Sequence, residues 1–244
     1  MTPDPQPPQT DAAPSDFDQE RALRLEAELR IAEMTRRAKR SGQEAWARGY
    51  MKAVASLLRP GDLAIDLGAN MGVVTKVLAA TGADVIAFEP DPLTFAKLTE
   101  RFAGQANVTL VNAAVGVGAG TVRLMRGENF EENPRLASTK STILAGAAGV
   151  DAGNTVEVPL IDFSTVVRQE VAKRGRIDFI KMDIEGSELD VLEAMDRENL
   201  FENIRALVAE THEHKFKELR PRYRKLRETI TRNHPSGRIS LDWI

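Results

Sequence analysis

The chain of 244 residues has no cysteine, which excludes disulfides, a thiolate nucleophile and any zinc site built on sulfur. It also lacks any apolar run near the roughly 20 residues needed to span a bilayer, so no membrane partner is expected. The first 19 residues, rich in Pro and Asp, lack the basic start and apolar stretch of a secretory signal, and the chain reads as cytoplasmic. Charge of neither sign dominates. Lys and Arg number 33 against 36 Asp and Glu, a formal charge of -3, which gives no electrostatic case for a nucleic-acid partner. What is present suffices for a core: hydrophobic residues make up 42%, and the length suits one α/β domain with a decorated end.

Residues 1–18 carry several prolines and no apolar periodicity, and read as a disordered leader. Helices are expected over 19–58. The first, 19–40, has a modest stripe of Ala22, Leu25, Leu29 and Ala32, a plausible element for pairing two copies of the chain. Ser41 and Glu44 form a capping-box pattern that predicts a second helix, which Arg59-Pro60-Gly61 stops. From 59 to 244 the chain alternates. Strands are expected at 63–67, 84–88, 108–111, 177–182 and 204–209, with helices at about 72–80, 92–102, 164–173 and 188–195. This predicts an α/β, Rossmann-like domain with a mostly parallel sheet, helices on both faces, and an N-terminal helical extension. Residues 121–125 and 155–160 read as extra strands, separated by a loop of about 127–151 that is either a lid or a flexible insertion. A basic helix over about 214–233, interrupted by Pro221, precedes a last strand at 238–243. Its arginines read either as an anion contact or as a solvated helix face.

Parallel sheets bind ligands at the carboxyl ends of their strands. There the sequence places Asp66-Leu67-Gly68-Ala69-Asn70-Met71-Gly72. Gly68 allows a tight turn and close backbone approach, and Gly72 lets the next helix lie against it. The spacing is G-x-x-x-G rather than the G-x-G-x-x-G of nicotinamide and flavin binders. Asp66 suits a cationic ligand and would repel a pyrophosphate. Twenty-one residues beyond Gly68, Glu89 closes the second strand, where its carboxylate can accept hydrogen bonds from both ribose hydroxyls. S-adenosylmethionine, a sulfonium and ammonium cation without phosphate, fits this pair of features.

The chain resembles the FkbM family of methyltransferases through the block from Asp66 to Gly72, through Phe88-Glu89-Pro90-Asp91-Pro92, and through the stretch Ile177-Asp178-Phe179-Ile180-Lys181-Met182-Asp183-Ile184-Glu185-Gly186-Ser187-Glu188. The likeness runs from about 61 to 212. It implies a class I methyltransferase fold, S-adenosylmethionine as cofactor, and methylation of a hydroxyl on a small molecule or carbohydrate. It also implies that Asn112 and Ala113, ending the third strand, border the adenine. One departure stands out: the class I fold usually ends in an antiparallel hairpin, and only one strand is visible after 204–209. Either a strand hides in the basic segment or the sheet edge is built differently.

Methyl transfer needs alignment, exclusion of water and late removal of a hydroxyl proton. Asp183 and Glu185, at the end of their strand, can accept that proton or anchor substrate hydroxyls. They can equally orient the cofactor or, with Ser187, cap the next helix. Glu210, His212 and His214 alternate beyond the next strand. They read as a base, as a divalent-metal site of two His and a carboxylate, or as a hydrophilic strand end. His212 is the favoured base, and no metal is expected. Lys181 either pairs with a buried carboxylate or reaches substrate. Competing readings are a nicotinamide oxidoreductase, disfavoured by the glycine spacing, a non-catalytic interaction protein of the same fold, and methylation of nitrogen.

Overall fold

The computed structural model describes residues 16–130, 132, 138, 141–144, 150–213, 216–234 and 237–243. The leader through residue 15, the side chain of Ala22, much of the long loop, and His214 lie outside the described residues. Two compact units divide the chain between Trp46 and Ala47.

One helix, α1 (Asp16–Leu57), replaces the two expected, and it starts within the stretch read as leader. It runs through Ser41-Gly42 without a break. A capping box only offers an N-terminus, and without a proline to exclude the helix the cost of Gly42 is about 1 kcal/mol, which the Ala-, Glu-, Arg- and Leu-rich flanks offset. Residues 19–46 are exposed wherever a side chain is described, with Glu26–Arg30 and Glu33–Arg37 pairs at i,i+4.

In the second unit, Ala47, Met51, Val54 and Leu58 repeat at steps of four, three and four, and are buried. They join a core cluster with Ala64, Leu78, Val85, Phe179, Val208 and Trp243. Six strands form the main sheet, in the order β3-β2-β1-β7-β8-β9. They are β1 (Leu63–Leu67), β2 (Asp84–Phe88), β3 (Val108–Val111), β7 (Phe179–Met182), β8 (Leu207–Ala209) and β9 (Ile239–Ser240). Every pair is parallel. The connecting helices are α2 (Val73–Ala79), α3 (Pro92–Arg101), α4 (Phe163–Arg174), α5 (Glu188–Arg197) and α6 (Arg220–Asn233). β1 and β7 are buried along their whole length, as expected of central strands covered on both faces. The strand order reverses between β1 and β7, and the functional site lies at that switch point.

The sheet edge is built differently from the usual hairpin. Among the described residues the basic segment holds no strand: Pro221 sits in the first turn of α6, where its missing N–H costs nothing, so it opens the helix instead of interrupting it. β9 then pairs parallel to β8, Leu207 opposite Ile239. A second sheet has the order β4-β6-β5, from β4 (Ala114–Gly116), β5 (Gly120–Gly127) and β6 (Val150–Asp162). The two extra strands expected from sequence pair antiparallel as β5 and β6, with a register shift between Met125 and Arg126. No helix among the described residues is long and apolar enough to cross a membrane.

Candidate active site

The turn after β1 is shaped by backbone that side chains resist. Gly68 has φ 74, and a Cβ there would stand 1.8 Å from the carbonyl oxygen of Asp183, so only glycine lets β1 and β7 end side by side. Gly72, at φ 71, faces Phe102 and Leu98 at under 3 Å in the same sense, which seats the turn on α3. The amides of Gly68 and Ala69 both donate to the Phe88 carbonyl, tying the turn to β2.

Glu89 enters from the end of β2 and is buried. Its two carboxylate oxygens accept from the backbone amides of Asn70 at 2.8 Å and Asp91 at 2.9 Å. Burial raises its carboxyl to about 7; those two amides oppose the rise, and the Asp91 charge adds to it. Asn112 holds this strand end by donating to the carbonyls of Glu89 and Pro90. Asp91 caps α3 through the amides of Leu93 and Thr94, and accepts from Arg126 of β5 at 2.7 Å.

A pocket opens between these elements and the end of β7. Of the residues singled out from sequence, Gly68, Asn70, Glu89, Pro90, Ala113, Asp183 and Glu185 lie on its wall. Asp66, Ala69, Gly72, Asn112 and His212 do not, and stand behind it. Asp66 is buried beneath the turn, where it accepts from the Thr75 hydroxyl at 2.6 Å and pairs with Lys181 at 3.4 Å. Ser138, Ser141, Thr142 and Ile143 of the long loop lie on the same pocket wall. Ser138 donates to the Asn70 side chain at 3.1 Å, and the Thr142 hydroxyl donates to the Glu185 carbonyl at 2.5 Å. Backbone bonds both ways between Thr142 and Met125 anchor that piece to β5.

The far side of the pocket is acidic. Glu185 adopts φ 58, uncommon for a residue with a side chain, and its carboxylate lies 3.3 Å from Nε2 of the buried His212. Glu210 and Asp183 approach the same nitrogen at 3.7 and 3.8 Å. Glu188, missed as a functional residue in the sequence, orders this group. Its fully buried carboxylate accepts from the amides of Ile184 and Gly186, both at 2.8 Å, and contacts His212 Nδ1 at 3.0 Å. The start of α5 is therefore served by Glu188, while the Ser187 side chain makes no capping bond. Since an ionised carboxylate only accepts, Nδ1 carries a proton and Nε2 faces the other three acids. Burial would lower His212, but the Glu188 hydrogen bond and charge, with Glu185 and Asp183, outweigh it and raise the imidazole to about 9. Glu210 rises to about 8, through burial first and the Asp183 charge second.

Asp183, Glu188 and His212 offer ligand atoms all within 4.8 Å of one another, a spacing that suits a metal ion. Glu188, however, is already engaged by two amides and the imidazole. The signal for its role was its place as the last acid of the K-x-D-x-E-G-x-E block. Its partner His212 lies 24 positions on, a pairing that no local pattern reveals.

Residues 66–234 match the family described as the methyltransferase FkbM domain. Over 180 residues the chain is 32% identical to the 31-O-demethyl-FK506 methyltransferase FkbM of Streptomyces tacrolimicus, covering 64% of this chain and 67% of that protein. It is 28% identical over 182 residues to the hexuronic acid methyltransferase AglP of Haloferax volcanii, covering 70% and 68%. With methyltransferase sdnD of Sordaria araneosa it shares 29% over 171 residues, covering 61% and 66%. The match thus spans about two thirds of each relative's length. With a Rossmann-like parallel sheet, a glycine turn at its switch point and an acidic pocket beside it, this chain belongs to the FkbM-domain methyltransferase family.

Proposed function

We propose that the protein transfers a methyl group from S-adenosylmethionine to a hydroxyl oxygen of a sugar or other small molecule. One observation carries this reading: a single pocket has the buried Glu89 carboxylate and the Gly68 turn on one side, and Asp183 and Glu185 on the other. Each Glu89 oxygen has one backbone partner and lone pairs to spare, which suits a ribose diol. Gly68, Asn70, Glu89, Pro90 and Ala113 hold the cofactor directly. Asp66, Ala69, Gly72 and Asn112 serve it by shaping the turn and the strand end. S-adenosylmethionine, when bound, supplies an activated methyl on a neutral leaving group.

The chain's own part is alignment and proton removal. Asp183 and Glu185 accept hydrogen bonds from the acceptor and aim its hydroxyl oxygen at the cofactor. His212 stands behind them with Nε2 toward both carboxylates, placed to receive the hydroxyl proton through Asp183 or Glu185. With an imidazole at about 9, the unprotonated form grows as pH rises, so turnover is expected to climb toward that value. Glu188 fixes the ring. Ser138 and Thr142 of the long loop contribute to the pocket wall beside Asn70 and Glu185. The names of the FkbM and AglP relatives, an O-demethyl substrate in one and a hexuronic acid in the other, support a hydroxylated acceptor. Pairing of two copies through residues 19–40 of α1 belongs to the same reading, and removing residues 1–40 should turn a dimer into a monomer in solution.

Calorimetric titration with S-adenosylmethionine and its demethylated product, S-adenosylhomocysteine, tests the cofactor site. Micromolar binding, followed by methylation of hydroxylated acceptors in a screen, is the expected result. Absence of binding to both ligands would overturn the proposal.

A further inference from the structure

Lys181 is a cation in the middle of the sheet, on a strand with no exposed residue. Its ammonium has three hydrogens and four neighbours. The Gly68 carbonyl lies at 2.8 Å, the Leu67 carbonyl at 3.2 Å, an Asp66 oxygen at 3.4 Å and an Asp183 oxygen at 3.5 Å. The two carbonyls accept its hydrogen bonds, and the two carboxylates face it as ion pairs. Burial opposes its charge, but Asp183 and then Asp66 outweigh burial and keep it protonated. The ammonium thus sits where three parts meet. These are the carbonyls of the cofactor turn, the buried acid beneath that turn, and the pocket-facing acid at the end of β7. The Asp183 amide, which donates to the Leu67 carbonyl at 3.1 Å, closes the same junction.

We propose that Lys181 is a positioning residue that latches the glycine turn to Asp183, so that the cofactor side and the acceptor side of the pocket are held in one register. It touches neither ligand. It acts through the two carbonyls it fixes and the carboxylate it aims, and in naming these as the two ligand sides the inference rests on the proposed methyl transfer. A plain charge neutraliser for Asp66 would need no contact with the Gly68 carbonyl. A substrate-binding lysine would need an exposed tip.

Four variants separate these roles: Lys181→Met, the double variant Asp66→Asn/Lys181→Met, and Asp183→Asn with and without Lys181→Met. In Lys181→Met, amide hydrogen exchange at Gly68, Ala69 and Asp183 should quicken by about tenfold, and S-adenosylhomocysteine should bind about tenfold more weakly, the loss of one or two hydrogen bonds. Turnover on the acceptor found by screening should fall by about 100-fold, as for an ångström of misplacement. Added to Asp183→Asn, the Lys181→Met change should cost little further turnover yet still weaken S-adenosylhomocysteine, because only the aiming function has lost its object. Asp66→Asn in the Lys181→Met background should restore thermal stability by removing an uncompensated buried charge, without restoring affinity. If it restores both, Lys181 only neutralises Asp66 and the latch is wrong. Exchange rates and affinity equal to wild type in Lys181→Met would also overturn it. Should the wild-type protein bind no S-adenosylhomocysteine, the proposed function falls while the exchange rates still decide the latch.

Discussion

The two sides of the pocket are made in different ways. On the cofactor side, Gly68, Asn70, Glu89 and Asp91 fall within one β1-α2-β2 unit and its exit, and they are joined by backbone amides. On the acceptor side, Glu185, Glu188, Glu210 and His212 come from the ends of two neighbouring strands and a helix start, and they are joined by side chains and charge. A site built from amides depends on turn geometry, so changing a backbone position should hurt it most. A site built from side-chain charge depends on protonation, so pH should move it most.

The largest effect is expected where both sides meet. Gly68→Ala places a methyl group 1.8 Å from the Asp183 carbonyl and demands a left-handed backbone of alanine. A loss of roughly 3 kcal/mol or more in stability is expected from that clash and strain. Denaturant unfolding gives the value. An alanine variant with wild-type stability and affinity would show that the turn and β7 are not packed as described. Next comes Glu89→Ala, which removes the buried carboxylate from the cofactor side alone. Binding of S-adenosylhomocysteine should weaken by about 100-fold, the worth of charged hydrogen bonds to two hydroxyls. Because burial holds this carboxyl near 7, wild-type affinity should rise as the pH passes upward through that value, and calorimetry across the range would detect it.

The same division explains what could be read before the fold was known. Strand and helix spans on the cofactor side were legible because buried strands, a glycine turn and an acid at fixed spacing are local patterns. So was the place of Glu89. The single helix through Ser41 was not, because a capping box marks a permitted start and nothing in it forces a break. The last strand was expected at 238–243 and is present, shortened to β9, but its parallel pairing with β8 was not legible, since spacing along the chain does not fix strand direction. His212 was picked out by its place in the alternating Glu210, His212 and His214 beyond a strand. Its partner Glu188 stayed hidden because the contact spans the whole of α5 and β8, and a helix-initial glutamate looks like a dipole-complementing residue wherever it occurs.

A smaller effect should appear on the acceptor side as pH changes. His212 has a folded-state value of about 9 against 6.5 for the free side chain. Its contribution to stability is therefore complete below 6.5 and is lost as pH rises through 9. The stability difference between wild type and His212→Gln should be largest near pH 6 and fade toward pH 9. In Glu188→Gln the imidazole loses its main partner, so the fading should begin at lower pH. A difference that stays flat over this range would mean that the acids do not hold a proton on His212.

The smallest effect expected is that of chelation, and it bears on what the acidic group is for. Asp183, Glu188 and His212 could in principle surround an ion. A metal there would have to take Glu188 from the amides of Ile184 and Gly186, which order the turn carrying Glu185, or share His212 with it. A ligating histidine usually keeps a carboxylate on its other nitrogen, and Glu188 already fills that outer place on Nδ1. That leaves Nε2 with Asp183, Glu185 and Glu210 as the competing arrangement, with the proton on Nε2 doing the work of a cation. EDTA should then leave turnover unchanged, and added magnesium or manganese should not raise it. Activation by either ion, abolished in His212→Gln, would make the acceptor side a metal centre and would rule out the imidazole as the proton acceptor. The contrast between the two sides would then be sharper still, amides against a metal instead of amides against a proton.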